Sequence, residues 1–325
     1  MVNILIEDYY HMVYNYFCRR ESTEEKILYT DVFFSDETKK KTLYIPKFNM
    51  KNEKYLHFSE NITKIFEDGE KLNVLDNIIV HGSYGDYTAN NYSDVDITLL
   101  LKQNVLVDRL LLQKAKKFVS QRVIPFMIEI DPFQHHGPFF LWPKLLENYK
   151  NSILPVEVYK YSWAVKPTKI SFKIVKSVKD REKFDITCKN IFILGEKSLK
   201  TQDLFLIKCF LSNTMLLPAL FLMAMGNPCP KSLSFKYVEK EFGTTFDSLK
   251  IASEIRAKWP KFTYYKMLSK ISLSLFKNNP LGVPPVLGRV SRFFPKKICM
   301  SDIKKIYIGL KSMCTNMESR LNDEQ

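Results

Sequence analysis

Residues His81–Leu101 read HGSYGDYTANNYSDVDITLLL. A short apolar run, Asn77-Ile78-Ile79-Val80, leads into Gly82-Ser83. Further on come Ser93-Asp94-Val95-Asp96 and a second apolar run, Ile97–Leu101. Two carboxylates two residues apart on a strand project from the same face. On an otherwise apolar strand such charges repel each other and are costly to bury. A bound divalent cation removes both problems, and Mg²⁺ is commonly held by one or two carboxylates together with substrate phosphates.

Working outward, Asp76–Val80 reads as a short buried strand, Asp86–Tyr92 as a polar turn, and Asp94–Leu101 as a second strand. Upstream, Phe58–Glu70 has a helical face formed by Ile62, Ile65 and Phe66, with Ser59 able to cap it. Downstream, apolar residues at 107, 110, 111, 115, 118 and 119 predict an amphipathic helix over Val107–Val119. The run Pro125–Asp131, PFMIEID, then reads as a third strand.

Gly-Ser, a short loop and Asp-x-Asp between apolar runs resemble the signature of the nucleotidyltransferase superfamily, the fold of DNA polymerase beta and poly(A) polymerases. The resemblance covers roughly residues 60–135. It implies an α+β fold: a nucleotidyltransferase-like mixed sheet flanked by helices, followed by a mainly helical C-terminal domain. It implies Mg²⁺ as cofactor, two ions with Mn²⁺ as a substitute, held by Asp94, Asp96 and a third carboxylate from a neighbouring strand. Asp131, followed by Pro132, is the preferred third ligand and Glu129 the alternative. The resemblance places the triphosphate of an NTP donor on Gly82 and Ser83, with Tyr84 and Ser93 beside it. Glycine lets a backbone approach phosphate closely, and a helix start presents free N–H groups. The implied reaction moves an NMP onto a hydroxyl or phosphate acceptor and releases pyrophosphate.

Gln134-His135-His136-Gly137 follows the third carboxylate. One of the two histidines, with Gln134, is expected to line the acceptor side; the alternative is a hydrogen-bonded closing loop. A zinc site is disfavoured, because adjacent side chains on an extended segment point apart and no Cys/His cluster adds ligands. His81 reads as half-buried packing.

The rest of the chain of 325 residues is read as two domains, 1–165 catalytic with an N-terminal helical extension and 166–325 basic and mostly helical. Residues 1–150 carry 19 Lys+Arg against 21 Asp+Glu, whereas 151–325 carry 30 against 14. A basic half suits a polyanionic partner such as RNA, and so do the aromatic-basic runs 261–266 and 289–297, the second read as an exposed loop. A lysine-rich proteome explains the same count. Lys39-Lys40-Lys41 reads as a solvated turn and 137–163 as the crossing between domains. The tail from Asn316 is the segment closest in composition to disorder. Six cysteines without metal-ligand spacing fit reduced thiols and a cytoplasmic location. The N-terminus lacks a signal peptide's basic region, and no membrane partner is expected. Leu204–Met225 has the length of a membrane span, with a buried helix the favoured reading. A catalytically inactive nucleotide- or RNA-binding protein on the same fold is the alternative to the enzyme.

Overall fold

A computed structural model of the chain describes residues 4–19, 24–33, 38–175, 180–229, 231–261, 263–294 and 298–323. The fold is mixed α and β, with a helical C-terminal region. The chain divides into two units, Met1–Ser177 with Lys266–Val283, and Val178–Tyr265 with Pro284–Gln325. The first unit therefore continues past residue 165, because the strand that follows pairs within it.

In the first unit the strands are β1 (Ile4–Leu5), β2 (Val32–Phe33), β3 (Thr38–Ile45), β4 (Leu75–His81), β5 (Asp96–Leu101), β6 (Phe139–Leu141), β7 (Trp163–Ala164) and β8 (Thr168–Val175). The helices before residue 150 are α1 (Ile6–Cys18), α2 (Glu24–Tyr29), α3 (Leu56–Lys71), α4 (Gly82–Gly85), α5 (Arg109–Phe118), α6 (Ile124–Ile130) and α7 (Pro143–Leu146). The central sheet runs β6-β5-β4-β7. β4 is antiparallel to β5, with His81 opposite Asp96, while β6 is parallel to β5, with Thr98 opposite Phe139. Ile78, Ile79, Val80, Ile97 and Leu99 are fully buried, which is why these runs lack polar alternation. β3 and β8 form a separate antiparallel ribbon.

Several expectations are corrected. The run Pro125–Asp131 is not a strand. α5 continues through a π-turn, Val119–Val123, into α6. Val119, Val123, Ile124, Met127 and Ile128 are buried on one helical face, and that burial outweighs the short alternation in PFMIEID. Pro125 sits in the first turn of α6, where its missing N–H is tolerated. Lys39-Lys40-Lys41 is no turn: it lies within β3 and pairs with Phe172, Lys173 and Ile174 of β8. Ser59 does not cap α3, which starts at Leu56 after a 3₁₀ turn; Ser59 is buried within it. The segment 137–163 is no crossing between domains, because it supplies β6 and one residue of β7 at opposite edges of the central sheet.

In the second unit, α8 (Asp180–Thr201) packs against α9 (Leu204–Ala224). Asp203 caps α9, accepting from the backbone N–H of Phe205 and Leu206, and holds Arg292 at 3.1 Å. α9 is long and apolar enough to cross a membrane, yet 72% of its most apolar window is buried inside the protein. Then follow α10 (Lys231–Phe242), α11 (Asp247–Ala257), α12 (Thr263–Leu275), whose residues from Lys266 onward belong to the first unit, and, back in the second, α13 (Val283–Ser291) and α14 (Met300–Asp323). α14 carries the supposed tail as ordered helix to residue 323. Residues 289–291 of the second basic run are helical rather than loop, and 295–297 lie outside the described residues.

Candidate metal centre

β4 delivers the chain to Gly82, whose backbone is left-handed with φ +61°. A Cβ on Gly82 would lie 2.3 Å from Asp96 Oδ2, so the carboxylate occupies the space a side chain would need. The turn is then closed by hydrogen bonds from Asp86 N to Gly82 O and from Thr88 N to Ser83 O. Gly85 allows that turn to fold onto the strand, since a Cβ there would lie 2.8 Å from the Val80 carbonyl oxygen. Ser83 is half-buried. Tyr84 turns inward and stacks on Phe58 with ring centroids 4.5 Å apart, while its carbonyl accepts from Trp163 Nε1. Ser93 Oγ accepts from Asn90 N, fixing the loop that leads to Asp94.

The surprise is the pair of histidines. His135 Nδ1 lies 3.3 Å from Asp94 Oδ1, and His136 Nε2 lies 3.2 Å from Asp96 Oδ1. Their rings are 4.8 Å apart and nearly perpendicular. They do not point apart as on an extended strand, because the chain turns here: Gln134 N donates to Asp131 O, and His136 Nδ1 meets the Gly137 carbonyl at 2.8 Å. Ligand atoms of Asp94, His135 and His136 all lie within 4.8 Å of one another.

Gln134 fixes this arrangement rather than lining an acceptor pocket. It is buried; its Oε1 accepts from Val95 N, and its Nε2 donates to the carbonyls of Val95 and His136. One side chain thus ties the residue between the two aspartates to the two histidines. Gly137 N donates to Tyr14 Oη, anchoring the same turn to α1.

Asp131 is buried at the C-terminal cap of α6, where its Oδ1 accepts from Phe133 N. It is not a member of the Asp94–His135–His136 group. Glu129 is exposed on the outer face of α6. The positions level with the two aspartates on the approach to β6 are held by imidazoles. No sequence signal singled out Gln134 as a clamp. The histidine pair before Gly137-Pro138 was visible, but its direction required knowing that the chain turns.

The electrostatics follow from this crowding. Burial opposes a charge on His136, but its hydrogen bond to Asp96 and the charges of Asp96 and Asp94 outweigh it and raise its pKa to about 9. Burial alone would raise Asp96; His136 and then His81 hold it below its ordinary value. His81 is fully buried, with Nε2 3.0 Å from Thr98 Oγ1, which in turn meets Tyr159 Oη at 3.0 Å. Burial pushes the His81 pKa down to about 4 against the weaker pull of Asp96.

The donor set can hold a dication between carboxylates and imidazoles beside the Gly82-Ser83 turn. It does not fit two Mg²⁺ ions on three carboxylates, because Mg²⁺ prefers oxygen ligands and two of the gathered donors are nitrogen. Compared with family models, with curated proteins and with solved structures, the chain matches none.

Proposed function

We propose that the chain is a metal-dependent nucleotidyltransferase. The observation that carries this reading is Gly82: its left-handed backbone lets Asp96 approach the Gly-Ser turn, with Oδ2 where a Cβ would be. A triphosphate resting on Gly82 and Ser83 and a cation on Asp94 and Asp96 would therefore be neighbours. The cation offsets phosphate charge, and the turn aligns the donor. An acceptor oxygen attacks the α-phosphorus of the NTP, the bond to the bridging oxygen breaks, and pyrophosphate leaves. Asp131 has no role in this reading beyond closing α6.

The test incubates the protein with labelled ATP, GTP, CTP and UTP, a dication and a panel of hydroxyl and phosphate acceptors. Transfer that disappears in Asp94→Ala and Asp96→Ala supports the reading. Absence of transfer and of pyrophosphate release with every NTP and dication sinks it.

A second reading, a nucleotide- or RNA-binding protein without catalysis, is favoured by one observation. His136 Nε2 lies 3.2 Å from Asp96 Oδ1, where a protonated imidazole would offset the carboxylate without a metal, and the same carboxylates raise its pKa in that direction. This reading expects binding without transfer. RNA held by the basic C-terminal half would lose affinity steeply with salt and keep it in Asp94→Ala.

A further inference from the structure

We propose that Asp94, His135 and His136 bind one first-row transition dication, with Zn²⁺ held most tightly and Mg²⁺ weakly. The inference concerns the site on which the proposed function rests, and narrows its metal. Three observations carry it.

The first is spacing. Zinc bonds of about 2.0–2.1 Å to nitrogen and oxygen give tetrahedral ligand–ligand edges of about 3.3 Å. Asp94 Oδ1 and His135 Nδ1, both in the proposed ligand set, stand 3.3 Å apart. All three ligand atoms of the Asp94–His135–His136 group fall within 4.8 Å of one another, within reach of one ion that keeps a fourth position open.

The second is the orientation of His136. The Gly137 carbonyl can only accept a hydrogen bond, so the Nδ1 that meets it at 2.8 Å carries the proton. In the neutral ring the lone pair is then on Nε2, the atom that faces the carboxylates. Metal-bound histidines are commonly oriented in this way by a backbone carbonyl.

The third is support. Gln134 clamps both backbone groups of Val95 and the carbonyl of His136, so the two halves of the donor set are held in register before any ion arrives. The side chains of Asp94, Asp96, His135 and His136 retain 13–28% exposure, enough for an ion to enter. Imidazole suits zinc and its neighbours, whereas Mg²⁺ demands octahedral oxygen.

The experiment titrates the full chain, stripped with a chelator and free of nucleotide, with Co²⁺, and follows its visible absorption. Zn²⁺ and Mg²⁺ then compete for the site. The expected result is one Co²⁺ per chain, displaced by stoichiometric Zn²⁺ and retained in hundredfold excess Mg²⁺. His135→Asn and His136→Asn should each weaken Co²⁺ by more than the roughly tenfold that loss of an outer-shell partner costs. Displacement by equimolar Mg²⁺, or wild-type affinity in both variants, overturns the proposal. If circular dichroism finds either variant unfolded, X-ray absorption of the wild-type Zn²⁺ protein decides: two imidazoles in the first shell support the site, and none refutes it. Nucleotide transfer that needs Mg²⁺ alone would leave the proposed function standing without this metal site. A bound metal without transfer would do the reverse.

Discussion

Gly82 meets two constraints at once: a left-handed backbone and a carboxylate where a side chain would be. Gly82→Ala should therefore cost about 1–3 kcal/mol in urea unfolding and lower the affinity for Co²⁺, since Asp96, whose carboxylate lies 3.2 Å from the ligand His136, must move. His81 gives a pH signature. Its pKa is about 4 in the folded protein and about 6.5 in an unfolded chain. Above pH 6.5 the residue is neutral in both states and its contribution is fully present. As pH falls from 6.5 towards 4 the unfolded chain takes up a proton that the folded one refuses. Stability should fall across that window by up to about 3 kcal/mol, and His81→Asn should flatten this limb of the urea midpoint plotted against pH. At this scale the sequence was legible where chemistry dictates residue type: Gly82 stands at the turn and Asp96 on the strand that the pattern gave them, while Asp94 lies in the loop just before β5 rather than on it. It pointed to Gln134 in the wrong role, as an acceptor-side residue, because a clamp made of backbone bonds needs only an amide at the right place and leaves no pattern.

The reading of α6 as a strand shows how an element is lost. Four residues of PFMIEID, Ile128-Glu129-Ile130-Asp131, alternate, but the burial that matters extends back through Val119 and Val123 at helical spacing. Pro125 lies inside that span, and the π-turn just before it absorbs the irregularity. With the strand gone, the two candidates for a third carboxylate part: Asp131 is buried at the C-terminal cap of α6, and Glu129 is exposed on its outer face. Glu129→Gln should accordingly leave Co²⁺ binding and any nucleotide transfer unchanged, whereas Gln134→Ala should weaken Co²⁺ about tenfold or more and cost about 1–3 kcal/mol through the unpaired Val95 groups. Both follow from a cobalt titration alongside urea denaturation. Met127→Ala, in contrast, removes a fully buried side chain and should cost about 2–5 kcal/mol without altering the metal ratio.

Across the whole molecule, the mixed α and β class and the helical C-terminal region were legible through the resemblance carried by His81–Leu101, and the basic second half through charge. The return of residues 266–283 to the first unit was not, since no glycine- or serine-rich linker marks it. Asn278 and Pro280 line, with Tyr16, Phe17 and Ile124, a cavity of about 420 Å³ in that unit. A chain ending at residue 177 should unfold at lower urea than the full chain and bind a hydrophobic dye at that uncovered wall.

The direction of β6 has a further consequence. β5 and β6 enter the sheet from the same end, so whatever precedes each strand meets at one rim. That common direction requires a long crossover, and α5, the π-turn and α6 lie on it. An antiparallel β6 would have carried the residues before it to the far end of a six-residue strand, about 20 Å from Asp96. The helix mistaken for a strand is thus what permits nitrogen and oxygen donors to share one corner, and connectivity, more than any single ligand, sets the chemistry available there.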